Sequence, residues 1–319
     1  MADTPTEFLS TIAEERQKPE NWPLAFALLL MRGLGALPFP FNVRLGKAIG
    51  YLLYLIPSSR KHVTRVNIDL CFPELGAEEK HRFCKQVFKN FGAGLTETSM
   101  AWWSSHKRIE SISEIEGLDI LLEAKGRGKG VLLLGAHFST LDIGAAIGAI
   151  HFPFSAVYRP QRNTLFNATI LAGRDRHADN HIKKTNPRAL IKAVRRGEIV
   201  WYAPDQDEGE NNSVYASFFS QTASTINATA TLARITGAPV FFYGQRRKPD
   251  DSGYIVSITG PLNDFPSGDD VTDATAVNKQ IESAIRLEPT QYYWFHRRFK
   301  TQANKERGAL YKRSLTRAV

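Results

Sequence analysis

The chain has 319 residues, 43% hydrophobic and 23% charged, with 41 Lys and Arg against 32 Asp and Glu for a formal net charge of +9. That is ordinary globular composition, enough for a full core in one large α/β domain or two small ones, and it excludes a disordered or fibrous chain. Two cysteines, Cys71 and Cys84, exclude a disulfide framework and a cysteine metal cluster, while the positive excess calls for an acidic partner: nucleic acid, anionic lipid or a phosphorylated substrate.

Residues 1–20 are polar and read as a short amphipathic helix or loose arm, with no cleavable signal peptide. Trp22 to Leu37 is strongly apolar, but Arg32 interrupts it, Pro23 and Pro38 bracket it, and it falls short of the roughly 20 residues that span a bilayer. A second apolar stretch, Ile49 to Pro57, follows Arg44 and Lys47. Two readings stand: an N-terminal anchor over residues 1–57 with Trp22 at the membrane interface, or a pair of core helices in a soluble protein. Residues 58–113 are helical, broken near Pro73 and Gly76. Ala77-Glu78-Glu79 opens a long helix whose Phe83, Val87, Phe88 and Phe91 recur at helical spacing. Glu97 on it reads as a solvated helix carboxylate, with a buried partner near the site as the alternative. Trp102 and Trp103 read as core or interface anchors.

The α/β part, 114–300, starts near Ile115. Gly126-Arg-Gly128-Lys-Gly130 precedes a strand instead of following one, so it is a turn and not a dinucleotide fingerprint. Strands are expected at Val131–Leu134, Phe154–Tyr158, Ile199–Ala203, Val240–Arg246 and Tyr254–Ile258, with His181–Lys184 extended. Helices are expected over Asn163–Asp179, Pro187–Arg196, Thr225–Thr236 and Asp269–Leu287. Residues 208–224, rich in Ser, Asn and Thr, read as a loop over the site. The alternation predicts βαβ units, hence an α/β fold with a mostly parallel mixed sheet flanked by helices. From His296 to the end, eight Lys and Arg face the single acid Glu306, so most of the net charge lies at this end, including a basic tail over 301–319.

The chemical signal sits in GVLLLGAHFSTLDIG, residues 130–144. Val131–Leu134 is a strand buried on both faces. His137 follows its end, Ser139 or Thr140 can cap a new helix, and Asp142 falls in the first turn, where a carboxylate suits the helix dipole. Open α/β sheets place ligand sites at such strand ends. His137 and Asp142 can face each other as base and orienting carboxylate, the base half of a triad; Ser139-x-x-Asp142 also reads as a capping box. Arg159 and the Asp205, Gln206, Asp207 run follow neighbouring strands, so their side chains can share the crevice. A guanidinium there suits a phosphate. The two aspartates lack the further ligands a metal site needs.

His-x4-Asp after an apolar strand resembles the signature of the lysophospholipid-acyltransferase superfamily. The rest of the chain resembles its lipid A late acyltransferase branch, of lauroyl/myristoyl type. The supporting blocks stand in family order: RVNIDLCFPEL at 65–75, TETSMAWW ending at Trp103, YRP at 158–160, PDQD at 204–207, Phe218-Phe219, LARITGAPV at 232–240 and WFHRRFK at 294–300. Two departures occur: Ser220 where the family usually carries Gly, and Asp142 where many members have Glu. The resemblance implies transfer of a fatty acyl group from an acyl carrier protein thioester, with acyl-CoA as the other donor, to a hydroxyl of a phosphorylated lipid A precursor at the cytoplasmic face of the inner membrane. His137 would be the general base with Asp142. Arg159, Asp205, Gln206, Asp207, Arg297 and Arg298 would contact substrate, with no cofactor, metal or nucleic acid required. It also favours membrane attachment of residues 1–57. The competing expectations are a glycerolipid acyltransferase of the lysophosphatidic acid type, sharing the His/Asp pair, and a non-catalytic membrane or nucleic-acid binding protein.

Overall fold

The structure is a computed structural model that describes residues 5–303 and 310–312. The N-terminal part is helical: α1 (Pro5–Glu15), α2 (Trp22–Gly35), α3 (Phe39–Leu55), α4 (Ser59–Cys71), α5 (Ala77–Trp103) and the short α6 (His106–Glu110). Local chemistry sets several starts. Ser58 caps α4 by accepting from the Lys61 amide, and the Glu79 side chain reaches back to the Gly76 amide at the head of α5.

The α/β part follows as β1 (Ser113–Glu116), α7 (Leu118–Gly126), β2 (Val131–Leu134), α8 (Leu141–His151), β3 (Ser155–Tyr158), α9 (Thr164–Arg174), β4 (Asn180–Lys183), α10 (Pro187–Arg195) and β5 (Ile199–Tyr202). It closes with β6 (Ser213–Phe218), β7 (Gln221–Ile226), α11 (Ala228–Thr236), β8 (Val240–Arg247), β9 (Tyr254–Thr259) and α12 (Asp270–Leu287). Seven strands form one sheet in the order β1-β9-β8-β2-β5-β3-β4, parallel at each pairing but the antiparallel β8–β9. The mostly parallel mixed sheet expected from the alternation is therefore present.

β2 lies at the centre, and all four of its residues are buried. Because side chains alternate along a strand, Leu132 and Leu134 join the core beneath α10, α11 and α12, while Val131 and Leu133 join the core beneath α8. Helix α5, 27 residues and so about 40 Å long, contributes to both: Phe83, Val87 and Phe88 to the first, Met100, Ala101 and Trp102 to the second. Glycines let it sit close to its neighbours. A Cβ on Gly46 of α3 would lie 2.6 Å from the Ala93 Cα, one on Gly92 would lie 2.6 Å from the Gly50 Cα, and one on Gly94 would meet the Ser139 carbonyl carbon at 3.1 Å. Backbone thus touches backbone where α3 crosses α5 and where α5 meets the turn after β2.

Two expectations need correction, and the membrane attachment expected of residues 1–57 stays an expectation. Residues 208–224 are not simply a loop: β6 and β7 pair antiparallel through a two-residue turn, Phe219-Ser220, with φ of 49° and 60°. Two left-handed residues make the hairpin twist match the strands, a conformation that glycine adopts more readily than Ser220. Glu97 is buried, 1% exposed, and its Oε1 accepts from Arg247 at 2.5 Å and from the Tyr254 hydroxyl at 2.9 Å. No described helix is long and apolar enough to cross a membrane. Instead α2 and α3 dock on α5 and turn a stripe outward: Trp22, Phe26, Leu29 and Leu30 from α2, Phe41, Leu52 and Leu55 from α3.

Candidate active site

The site forms where β2, β5 and the segment after α12 meet. Gly135 follows β2 because a Cβ there would lie 2.5 Å from the Trp201 Nε1, and its amide bonds the Tyr202 carbonyl at 2.9 Å. That tight approach brings His137 beside the loop leaving β5. Residues 291–293 lie antiparallel on the turn: Phe138 bridges Tyr292, and the Tyr293 amide donates to the His137 carbonyl at 2.8 Å.

His137 meets Asp205, not Asp142. Its Nδ1 lies 2.6 Å from Asp205 Oδ1, and its backbone amide donates to Oδ2 at 3.0 Å, where the Tyr292 hydroxyl also donates at 2.9 Å. Asp205 is fully buried. Burial alone would raise its pKa, but the His137 imidazole and the bonds from it hold the carboxyl far below the usual range. An ionised carboxylate only accepts, so the imidazole proton sits on Nδ1 and Nε2 carries the free lone pair. His137 is 29% exposed on its side chain. Gln206 Nε2 lies 3.0 Å from His137 Nε2 and 2.9 Å from His296 Nε2.

The expected His137–Asp142 facing pair is absent for a physical reason. Asp142 lies in the first turn of α8 as expected, but its carboxylate turns toward α9, where Arg174 binds it through Nε at 2.7 Å and Nη2 at 3.1 Å. Trp102 Nε1 adds a third donor at 3.2 Å. A bidentate guanidinium is a stronger partner than a neutral imidazole. Burial opposes the charge on Asp142, yet Arg174 and Trp102 keep its pKa lowered. The capping expectation fails too: Thr140 precedes α8 but its hydroxyl donates to the Gln245 carbonyl, and the Ser139 hydroxyl has no hydrogen-bond partner among the described residues.

The remaining candidates separate. Asp207 accepts from the Thr301 amide at 2.6 Å, the Thr301 hydroxyl at 2.8 Å and the Gly209 amide at 3.0 Å, so it fastens the C-terminal segment to the β5 loop. Arg298 is 1% exposed, donates to the Ser224 carbonyl and the Thr225 hydroxyl, and stacks over Phe218. It holds the β6–β7 hairpin and is closed to substrate. Arg297 and Arg159 are exposed, and neither hydrogen-bonds to His137, Asp205 or Gln206. Lys305, Arg307, Arg313 and Arg317 of the basic tail lie outside the described residues.

The sequence reading missed Tyr292, His296, Arg174 and Trp102. Tyr292 and His296 lie near or within the WFHRRFK block, and Trp102 lies within TETSMAWW, so the blocks marked the place without the pairing. Nothing local marks Arg174. An apolar cavity of about 660 Å³, counting its open mouth, lies between α8, β3, β5 and α9. Its wall begins at Leu141 and Asp142 and runs past Ala145 and Gly148 to Phe152 and Tyr243. Ligand cavities commonly have this size and character.

A buried carboxylate held against an imidazole at a parallel-strand end is an arrangement that can serve acid–base chemistry, and the same sheet lines an apolar cavity. The sequence matches the bacterial lipid A biosynthesis acyltransferase family over residues 10–301. It is 36% identical over 285 residues to the lipid A biosynthesis palmitoleoyltransferase of Escherichia coli K12 and 37% identical over 285 residues to the lauroyltransferase of the same organism. Each alignment covers 89% of this chain and 93% of the relative. A Haemophilus influenzae lipid A biosynthesis acyltransferase is 33% identical over 297 residues, covering 92% of this chain and 95% of the relative. The chain belongs to the bacterial lipid A biosynthesis acyltransferase family. It is an acyltransferase, which sets aside the non-catalytic reading, and membership in this family favours lipid A over glycerolipid biosynthesis.

Proposed function

We propose that the enzyme moves a fatty acyl group from an acyl carrier protein thioester to a hydroxyl of a phosphorylated lipid A precursor, with His137 as general base and Asp205 as the carboxylate that orients it. The observation that carries this is the 2.6 Å contact between His137 Nδ1 and Asp205, which leaves Nε2 as the basic atom. The acceptor hydroxyl gives its proton to Nε2 as its oxygen attacks the thioester carbon. The C–S bond then breaks, and the leaving thiolate takes the proton from the imidazolium. Asp205 steadies that cation without accepting its proton. The cavity behind Leu141 is the place for the acyl chain, and the Asp142–Arg174 pair holds α8 at its mouth.

The net charge of +9 suits an acidic carrier protein and a phosphorylated acceptor. The outward apolar stripe of α2 and α3 suits a bilayer: it lies parallel to the surface, with Trp22 at the headgroup level, so the enzyme sits on the cytoplasmic face of the inner membrane without spanning it.

The test is transfer by the purified enzyme from carrier-protein and CoA thioesters to a lipid A precursor, read by mass spectrometry. Wild-type enzyme should favour the carrier donor, and His137→Ala should fall by roughly 10²–10⁴-fold while remaining folded. Turnover by His137→Ala within about threefold of wild type would sink the mechanism.

A further inference from the structure

The basic atom of His137 is occupied. With the ring proton held toward Asp205, Nε2 is an acceptor, and the group upon it at 3.0 Å is the Gln206 amide nitrogen, which stands 2.9 Å from His296 Nε2 as well. A primary amide has two N–H groups, so one can serve each imidazole, provided both rings are neutral and bare at Nε2. His296 meets the first part of that condition, neutrality. Burial lowers its pKa to about 4, helped by His137 and Arg60 and opposed by Asp205 and Glu208. The rings stand 5.4 Å apart between centroids at 73°, an arrangement that lets one side-chain amide bridge them.

Resting on the reading of His137 as base, we infer that Gln206 is a displaceable cap on His137 Nε2, and that His296 is the post that keeps hold of Gln206 when an acceptor hydroxyl takes its place. The cap guards the donor. An uncapped base would accept a proton from water while the water oxygen attacked the thioester carbon; the C–S bond would break, the thiolate would take the proton back, and fatty acid plus free thiol would be wasted. The exchange also has a direction. Once Nε2 carries the hydroxyl's proton it is a donor and faces a second donor in the Gln206 NH₂, so the cap cannot return through its nitrogen until the proton has passed to the leaving thiol. Displacing one neutral hydrogen bond weakens acceptor binding by only roughly two- to twelvefold, which the acceptor's own hydrogen bond to Nε2 offsets.

The experiment uses the full-length enzyme without any substrate. Diethyl pyrocarbonate acylates accessible neutral imidazole nitrogen, and peptide mass spectrometry gives the rate at each histidine. Gln206→Met, of similar length but without a donor, should raise labelling of His137 by about tenfold, as expected for losing one such bond, with exposed His106 as an unchanged control. Gln206→Asn, which keeps the amide a methylene short, should fall between. In a second arm, release of fatty acid from an acyl carrier protein thioester without acceptor should rise about tenfold in Gln206→Met and not in Gln206→Met combined with His137→Ala. Wild-type labelling of His137 in Gln206→Met, with unchanged thioester hydrolysis, overturns the cap. Because labelling needs no substrate, raised labelling in an enzyme that transfers nothing to a lipid A precursor would keep the cap and sink the reaction proposed above. His296→Phe supplies the independent variant should Gln206→Met lose its fold: with its post removed, the cap should slip and His137 labelling should rise, and an unchanged rate there also counts against the proposal.

Discussion

Two carboxylates, Asp205 buried and Asp142 half-buried, flank the turn between β2 and α8, and they hold different kinds of partner. Asp205 accepts from a half-exposed imidazole, a backbone amide and a tyrosine hydroxyl. Asp142 accepts from a guanidinium and an indole. Imidazole is the side-chain type that carries protons, whereas a guanidinium is a permanent cation. A carboxylate on a titratable ring can tune chemistry; one on a guanidinium fixes position. Sequence distance points the wrong way here, since Asp142 is near His137 in the chain and Asp205 is far from it.

The sharpest way to break this comparison is to neutralise each carboxylate in turn. Asp205→Asn should lower kcat by roughly 10²–10⁴-fold, because the tautomer is no longer held and the imidazolium is not steadied. It should cost only about 1–2 kcal/mol of stability, since Asn still accepts from the His137 amide and Tyr292. Asp142→Asn should instead cost about 2–4 kcal/mol in denaturant unfolding by stranding Arg174; this lies below the full range for sealed pairs because the Arg174 side chain is 30% exposed. Arg174→Gln added to Asp142→Asn should restore part of that loss. An Asp142→Asn enzyme as stable as wild type and as inactive as Asp205→Asn would reverse the assignment.

Acid titration sharpens the same contrast. Burial lowers His177 and His181, on the Asp142 side, and His296, on the Asp205 side, from 6.5 to about 4. The unfolded chain binds protons at these groups below about 6.5 and the folded chain only near 4, so stability is full above that window and falls with pH inside it. Each histidine contributes up to about 1.4 kcal/mol per pH unit. The melting temperature should therefore drop from pH 6.5 to 5. His296→Gln should remove about a third of the slope, leaving the larger share with the Asp142 side. A melting temperature constant across that interval would contradict the burial of these rings.

The smallest effect concerns the hairpin that Arg298 fastens behind the site. Ser220 holds φ at 60°, a region that favours glycine. Ser220→Gly should stabilise the protein by about 1 kcal/mol, less the entropy glycine adds to the unfolded chain, seen as a rise of a few degrees in melting temperature.

What was legible in the chain follows from range. β2 could be read from Val131–Leu134 because burial on both faces demands an unbroken apolar run, and α5 could be read from the spacing of Phe83, Val87, Phe88 and Phe91. The β6–β7 hairpin hid because its strands carry Ser and Thr, whose turn preference resembles a loop until pairing hides their backbone. The partner of His137 hid because nothing near it in sequence reports a contact made across two sheet-end loops. Arg298 hid inside a basic run, where charge suggests an exposed surface, although its guanidinium is consumed by a carbonyl and two side chains. The PDQD block nonetheless carried both residues that contact the His137 ring, Asp205 and Gln206.

The glycine contacts of α5 carry a mechanical consequence. Gly46 and Gly50 press α3 against Gly92, and Gly94 presses the same helix against the turn that bears His137. Close-packed backbones leave no compliant side-chain layer between them, so the apolar stripe and the imidazole ride on one rigid strut. Under the proposed membrane seating, such a strut would work as a fixed standoff, setting the height of His137 above the headgroups, so that a lipid would be selected by how far its hydroxyl stands from its acyl tails.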